Sequence, residues 1–186
     1  MRIFVTFLVL SAGLISSAKP AEMNGPTQWK EIVKSRIPVF GHRNWIVVAD
    51  SAYPAQTRDG IETVVTGTDQ MSVLQFVLAQ LSASKHVRPI ILTDTELKYL
   101  SDADAAGIEG YRQQLAVLSE GSQVQSLPHE EIISKLDKTA QTFRILILKT
   151  NMTIPYTSAF LQLDCAYWGL EAEQKLRAKM ARKPAH

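Results

Sequence analysis

The hydrophobic positions follow two alternating patterns. Short apolar runs, namely Trp45 to Ala49, Ile61 to Val65, Arg88 to Asp94, Phe143 to Leu148 and Ala159 to Leu163, have the length and branching of buried strands, with Gln123 to Leu127 a shorter candidate. Between them the spacing becomes helical. Trp29, Ile32 and Val33 share a face closed by Pro38, and Leu74, Val77, Leu78 and Leu81 recur at three and four residues behind a Gly67-Thr68-Asp69 cap. A longer helical region after Asp94 is interrupted near Gly107 and Gly110 and resumes through Tyr111, Leu115 and Leu118. Pro128 suits the first position of a helix carrying Ile132, Ile133 and Leu136. A last helix from about Gly169 is expected to turn Leu170, Ala172 and Leu176 inward, with basic residues toward its end. Strands alternating with helices predict an α/β domain whose mainly parallel sheet is covered by helices on both faces. Ligands in such folds gather at the carboxyl ends of the strands, which selects Asp50, Asp94 and the loop after Leu148.

The first residues break this pattern. Met1-Arg2 precedes an almost wholly apolar stretch, Ile3 to Ile15, and then the small residues Ser16-Ser17-Ala18. That layout is read as a secretory signal peptide, residues 1–18, with residues 19–186 forming one domain in a periplasmic or secreted protein. The apolar run is short for a membrane span, so no membrane association is expected after cleavage. Loss of Arg2 lowers the formal charge from +2 to about +1, a balance that gives no support to nucleic-acid binding. Cys165 is the only cysteine, so the exported chain has no internal disulfide and depends on its core. With 46% hydrophobic residues it has the material for one.

No phosphate-binding glycine loop, paired-cysteine metal signature, His-Glu-x-x-His motif or Gly-x-Ser-x-Gly elbow is present, so no cofactor is expected. Of the four histidines, His186 is terminal and His86 lies in a polar turn; both read as structural or exposed. His42 sits in a glycine-led turn, and an imidazole is the side chain suited to exchange protons near neutral pH. From composition alone it reads first as a turn residue bonded to backbone. His129 falls in a first helical turn, where the dipole disfavours imidazolium, so it is expected to be a neutral hydrogen-bonding histidine or an exposed helix-start residue. Asp50 and Asp94 each could ligate at a strand end or cap the following turn, and in Asp94 the flanking Thr93 and Thr95 strengthen the capping reading. Tyr156 follows Pro155 at a loop-to-strand junction and could simply pack there.

Taken in order, Gly41-His42, the apolar run into Asp50, Pro54, His129, Thr150, Pro155-Tyr156 and the strand that follows resemble the RbsD/FucU family of ribose pyranases and fucose mutarotases. The resemblance spans about Val39 to Leu163. It implies an RbsD-like fold, His42 as the catalytic acid/base, and sugar contacts from Asp50, His129 and the segment Tyr156, Thr157 and Ser158. It also implies a ring-shaped homo-oligomer acting on free ribose or fucose, with His129 favouring ribose because fucose-type members tend to carry arginine there. Ser158 stands where the family usually has asparagine, Asn151-Met152 where it has Gly-Glu, and Lys149 where arginine is common. A binding protein that kept the fold without catalysis is the alternative.

The implied chemistry suits these side chains. Opening a cyclic sugar protonates the ring oxygen and removes the anomeric hydroxyl proton, which a histidine can do in both directions for about 10²–10⁴ in rate. The strand sets a geometric condition. If Trp45 to Ala49 is extended, His42 and Asp50 lie on the order of 20 Å or more apart, so one sugar reaches both only if the turn folds back or two subunits share a site.

Overall fold

The computed structural model describes residues 27–182; the expected signal peptide lies outside them. Six strands form one sheet: β1 (Trp45–Ala49), β2 (Ile61–Val65), β3 (Val87–Asp94), β4 (Gln123–Leu127), β5 (Ile145–Lys149) and β6 (Ala159–Cys165), in the order β2-β5-β1-β6-β3-β4. All neighbouring pairs are parallel except those of β6, which runs antiparallel to both β1 and β3. The expected α/β class with a mainly parallel sheet is what the chain adopts.

The chain returns to the amino edge through helix-bearing segments between β2 and β3, β3 and β4, and β4 and β5, and through residues 50–60, which carry no helix, between β1 and β2. Residues 150–158 between β5 and β6 make no such return, so β6 starts at the carboxyl edge where β5 ended. Residues 155–158 are thereby delivered beside the ends of β1 and β3.

Alternation along the pleat divides the core in two. Ile46 and Val48 of β1 face one layer, with Leu146, Leu148, Ile91 and Leu161. This layer packs on α1 (Gln28–Arg36) through Trp29 and Val33, on α2 (Gln70–Ser82) through Val73, Leu74, Val77 and Leu81, and on α3 (Ile108–Leu118) through Ile108 and Leu115. Trp45, Val47 and Ala49 face the other layer, where Ile132 and Leu136 of α4 (His129–Thr139) cover Ile145, Ile147, Leu92 and Phe160. β1 is the centre of both layers, and all five of its residues are buried.

Three expectations are corrected. The helical region after Asp94 is a 3₁₀ turn, Thr95–Lys98, followed by a loop and then α3, which begins behind Gly107 in a left-handed conformation (φ 88°) that favours glycine. Pro128 occupies the position before the helix with extended backbone (φ −53°, ψ 141°), leaving His129 as the first helical residue. The last helix, α5 (Leu170–Arg182), does not turn its leucines inward: Leu170 is 78% exposed and Leu176 is 39% exposed. Both sheet faces are already covered, so α5 has no apolar layer to join. It is supported instead by spaced ion pairs, Glu171–Lys175 and Glu173–Arg177, each at 2.7 Å.

Candidate functional site

The carboxyl edge gathers polar groups from four segments. Asp50 follows β1, and its Oδ1 accepts from the Ala52 amide at 2.8 Å, the turn-closing bond that aspartate commonly makes. Its Oδ2 accepts from the Ser158 hydroxyl at 2.8 Å, while the Asp50 amide donates to Ser158 Oγ at 3.2 Å. Ser158 and Asp50 thus lock the start of β6 to the end of β1.

Asp94 ends β3 and is 1% exposed, yet neither carboxylate oxygen is in an aligned hydrogen bond among the described residues. Its nearest counter-group is His129, whose Nδ1 stands 3.2 Å from Oδ2. This is a close ionic approach whose angles fall short of a hydrogen bond. Burial pushes the Asp94 carboxyl up to about 6; His129 pulls it the other way, and Glu96 and Asp50 add smaller upward pushes. A carboxyl in that range changes charge close to neutrality.

His129 is held from two sides. Its backbone N–H, one of the unpaired donors of a helix start, donates to both oxygens of Glu96 at 3.1 Å each, which also sets a negative charge at the positive end of α4. Its ring meets Tyr156 edge to face, with centroids 5.8 Å apart and planes at 83°. Tyr156 takes a left-handed backbone (φ 57°), unusual for a tyrosine and held by what flanks it.

What flanks it is a buried network. Gln70, at the first turn of α2, donates from Nε2 to the Thr157 carbonyl and to the Tyr111 hydroxyl, the latter at 3.2 Å. Tyr111 in turn donates to the same carbonyl at 2.5 Å, and burial pushes its phenol above the ordinary value. The Thr150 hydroxyl donates to the Ala49 carbonyl at 2.9 Å and approaches Gln70 Oε1 at 3.3 Å. One side chain therefore ties together the ends of β1 and β5 and the start of β6. Replacing Gln70 with alanine leaves these buried acceptors short of a donor and is expected to lower stability by about 1–3 kcal/mol, read as a lower urea midpoint. An unchanged midpoint would show that the network contributes nothing to the fold.

The residues selected from sequence are thus divided. Asp50, His129, Tyr156 and Ser158 share the carboxyl edge. Thr157 lies among them in sequence but is 1% exposed, and its hydroxyl donates to the Ile154 carbonyl at 2.7 Å, so its contribution is to hold the loop. His42 is at the opposite edge. It is exposed in the turn before β1, which is closed by Asn44 N–H to Gly41 O at 3.1 Å and by Gly41 N–H to Asn44 Oδ1 at 2.8 Å. There it borders a groove of about 510 Å³ with Arg43, Asp164, Trp168 and Glu173. The turn does not fold back: Arg43 N–H bonds Leu163 O at 2.8 Å, at the far end of β6.

Glu96 is the polar group of the site that the sequence does not single out, since nothing local relates it to the start of α4. Asp94 is selected with Asp50 as an acid closing an apolar strand, its flanking threonines favouring a capping role, and its side chain makes no cap bond. His86 is structural, its ring bonded to Ser84 Oγ at 2.9 Å and within 3.1 Å of the Ile37 and Phe40 carbonyls. Among the described residues no group of three or more His, Cys, Asp or Glu is disposed to hold a metal ion, and no helix is long and apolar enough to cross a membrane.

No family model matches the chain, and no curated protein matches it. Solved structures similar to it include Bacillus subtilis RbsD complexed with D-ribose, at 21% identity and a TM-score of 0.48 over 83% of this chain and 96% of that one. The fucose mutarotase of Streptococcus pneumoniae in complex with L-fucose aligns at 21% identity and a TM-score of 0.47 over 71% of this chain and 89% of that one. FucU from Bifidobacterium longum aligns at 16% identity and a TM-score of 0.46 over 71% and 91%.

Proposed function

We propose that this protein is an exported monosaccharide mutarotase of the ribose pyranase type, interconverting the cyclic forms of a free sugar by histidine acid/base chemistry. The observation that carries the reading is the convergence at one sheet edge of groups suited to hold and move hydroxyl protons: the His129 imidazole against Asp94, the Tyr156 phenol against His129, and the Ser158 hydroxyl on Asp50. A sugar offers a ring of hydroxyls to such a surface, and ring opening asks only for a proton taken from one oxygen and a proton given to another.

In this reading His42 supplies one of those transfers from a neighbouring subunit, because its own subunit holds it at the other edge. Asp50, His129, Tyr156 and Ser158 orient the sugar, and Thr157 shapes the loop that presents them. The resemblance in sequence favours ribose over fucose through His129, and the apolar stretch of residues 3–15 favours export to the periplasm or beyond.

One observation favours a second reading, a sugar-binding protein without catalysis: a single copy holds Asp50, His129 and Tyr156 at one edge while the His42 turn is fixed at the other. Magnetisation-exchange NMR on ribose and on fucose separates the two. The mutarotase reading expects accelerated exchange between ring forms or anomers, lost in His42→Ala. Saturable sugar binding with no acceleration by the wild-type protein would establish the second reading instead.

A further inference from the structure

We infer that Asp94 is a positioning residue that fixes the tautomer of His129, making His129 a second proton-transfer group of the site rather than only a hydrogen-bonding contact. The inference rests on the mutarotase reading for its reaction, but its geometry stands independently. Asp94 is the most deeply buried carboxylate at this edge, with its side chain fully enclosed, and the His129 Nδ1 facing it is itself buried without another partner. The ring as a whole is 33% exposed, and Nε2 is neither among the buried unpaired atoms nor bonded to any described residue. The ring therefore presents one nitrogen to a carboxylate and the other outward.

A carboxylate beside Nδ1 favours the proton on that nitrogen, because the positive N–H group then lies near the negative charge and the lone pair away from it. The lone pair is left on Nε2, the outward atom, where it can accept a proton. The backbone bond to Glu96 anchors the residue that carries the ring, and Tyr156 packs against one side of it. The reaction balances as follows. Nε2 takes the proton of the anomeric hydroxyl as the bond from C1 to the ring oxygen breaks and C1 becomes a carbonyl carbon. The ring oxygen takes a proton from His42 of a neighbouring copy, and closure returns both protons, so nothing is consumed. The other titratable groups around Asp94 are Glu96 and Asp50, which oppose its charge, and the phenols of Tyr53 and Tyr111, whose ionisation its charge opposes.

The test compares wild type with Asp94→Asn and with His129→Gln. Imidazole ¹⁵N chemical shifts of His129 in the wild-type protein at pH 8 are expected to show the Nδ1–H form predominating; a predominant Nε2–H form there would overturn the proposal before any variant is made. In Asp94→Asn the Nδ1–H fraction is expected to fall and ribose ring-form exchange to slow by about 10–100-fold, with sugar affinity changed less than rate. An unaltered tautomer in a folded Asp94→Asn protein would also overturn it. Absence of any exchange activity in the wild type would count against the mutarotase reading alone, since the tautomer is read without sugar.

Discussion

A one-to-one mixture of His42→Ala and His129→Gln subunits is expected to regain about a quarter of wild-type exchange activity, since half of the histidine-donating faces and half of the receiving faces remain intact. Each variant alone is expected to lose about 10²–10⁴-fold, the usual contribution of a positioned acid/base group. β1 sets the separation of the two edges. Its five residues, Trp45–Ala49, are all buried and hydrogen-bonded between β5 on one side and β6 on the other. At about 3.3 Å per residue they hold the two edges roughly 16 Å apart, beyond the reach of one monosaccharide. No rotamer of His42 spans that distance, and the Arg43 and Asn44 backbone bonds fix the turn that carries it.

Two copies solve the problem if the amino edge of one meets the carboxyl edge of the next. Such a contact is heterologous, joining different surfaces, and closes into a ring when the rotation between copies permits. The mixture reads this directly because each restored site takes His42 from one kind of subunit and His129 from the other. Native mass spectrometry would verify that subunits exchange. With exchange verified, no recovery of activity would sink the shared site, as would full activity in a monomeric form of the wild-type chain.

Most of the fold was legible in the sequence because its determinants are local. The unbroken apolar runs of β1 and β5 admit few alternatives to buried strands, and the spacing of Leu74, Val77 and Leu81 has one helical reading. The Asp69 cap was equally readable, and its side chain accepts from Ser72 N–H at 2.9 Å. What escaped was non-local. The apolar content of α5 suggested an inward face, but whether a face is needed depends on how much sheet the other helices have left uncovered. The reversal of β6 could not be read locally, since residues 50–60 and residues 150–158 both connect strands without a helix and only the second connection reverses the chain. The same division applies to the site. Asp50 and Tyr156 could be picked as residues at strand ends, whereas the pairing of Asp94 with His129 joins residues from β3 and α4 that no local pattern relates. Thr157, brought into the site by the resemblance, is buried in the loop before β6 with its hydroxyl on the Ile154 carbonyl, a placement set by the buried network around it and not by any local pattern.

Asp94→Asn is expected to make the protein more stable at neutral pH, by about 3 kcal/mol, while slowing the reaction. The sign follows from the direction of the carboxyl's shift. An ordinary aspartate titrates at 3.8, and burial raises Asp94 in the folded chain to about 6. Between those values the folded state binds the proton more tightly than the unfolded state, so stability falls as pH rises through that window. Below the unfolded value the carboxyl is neutral in both states and Asn, its neutral isostere, confers no advantage. Above about 6 the folded chain holds a buried charge only partly compensated by His129, and two units at about 1.4 kcal/mol each give the expected gain. Urea unfolding of both proteins at pH 4 and pH 7.5 checks this, with curves converging at the lower pH and separating at the higher. If the Asp94–His129 attraction outweighed desolvation, the order would reverse and the wild type would be the more stable protein at pH 7.5. The expected result instead describes a group kept at the expense of the fold, the pattern found where a strained or desolvated residue serves the site rather than the core.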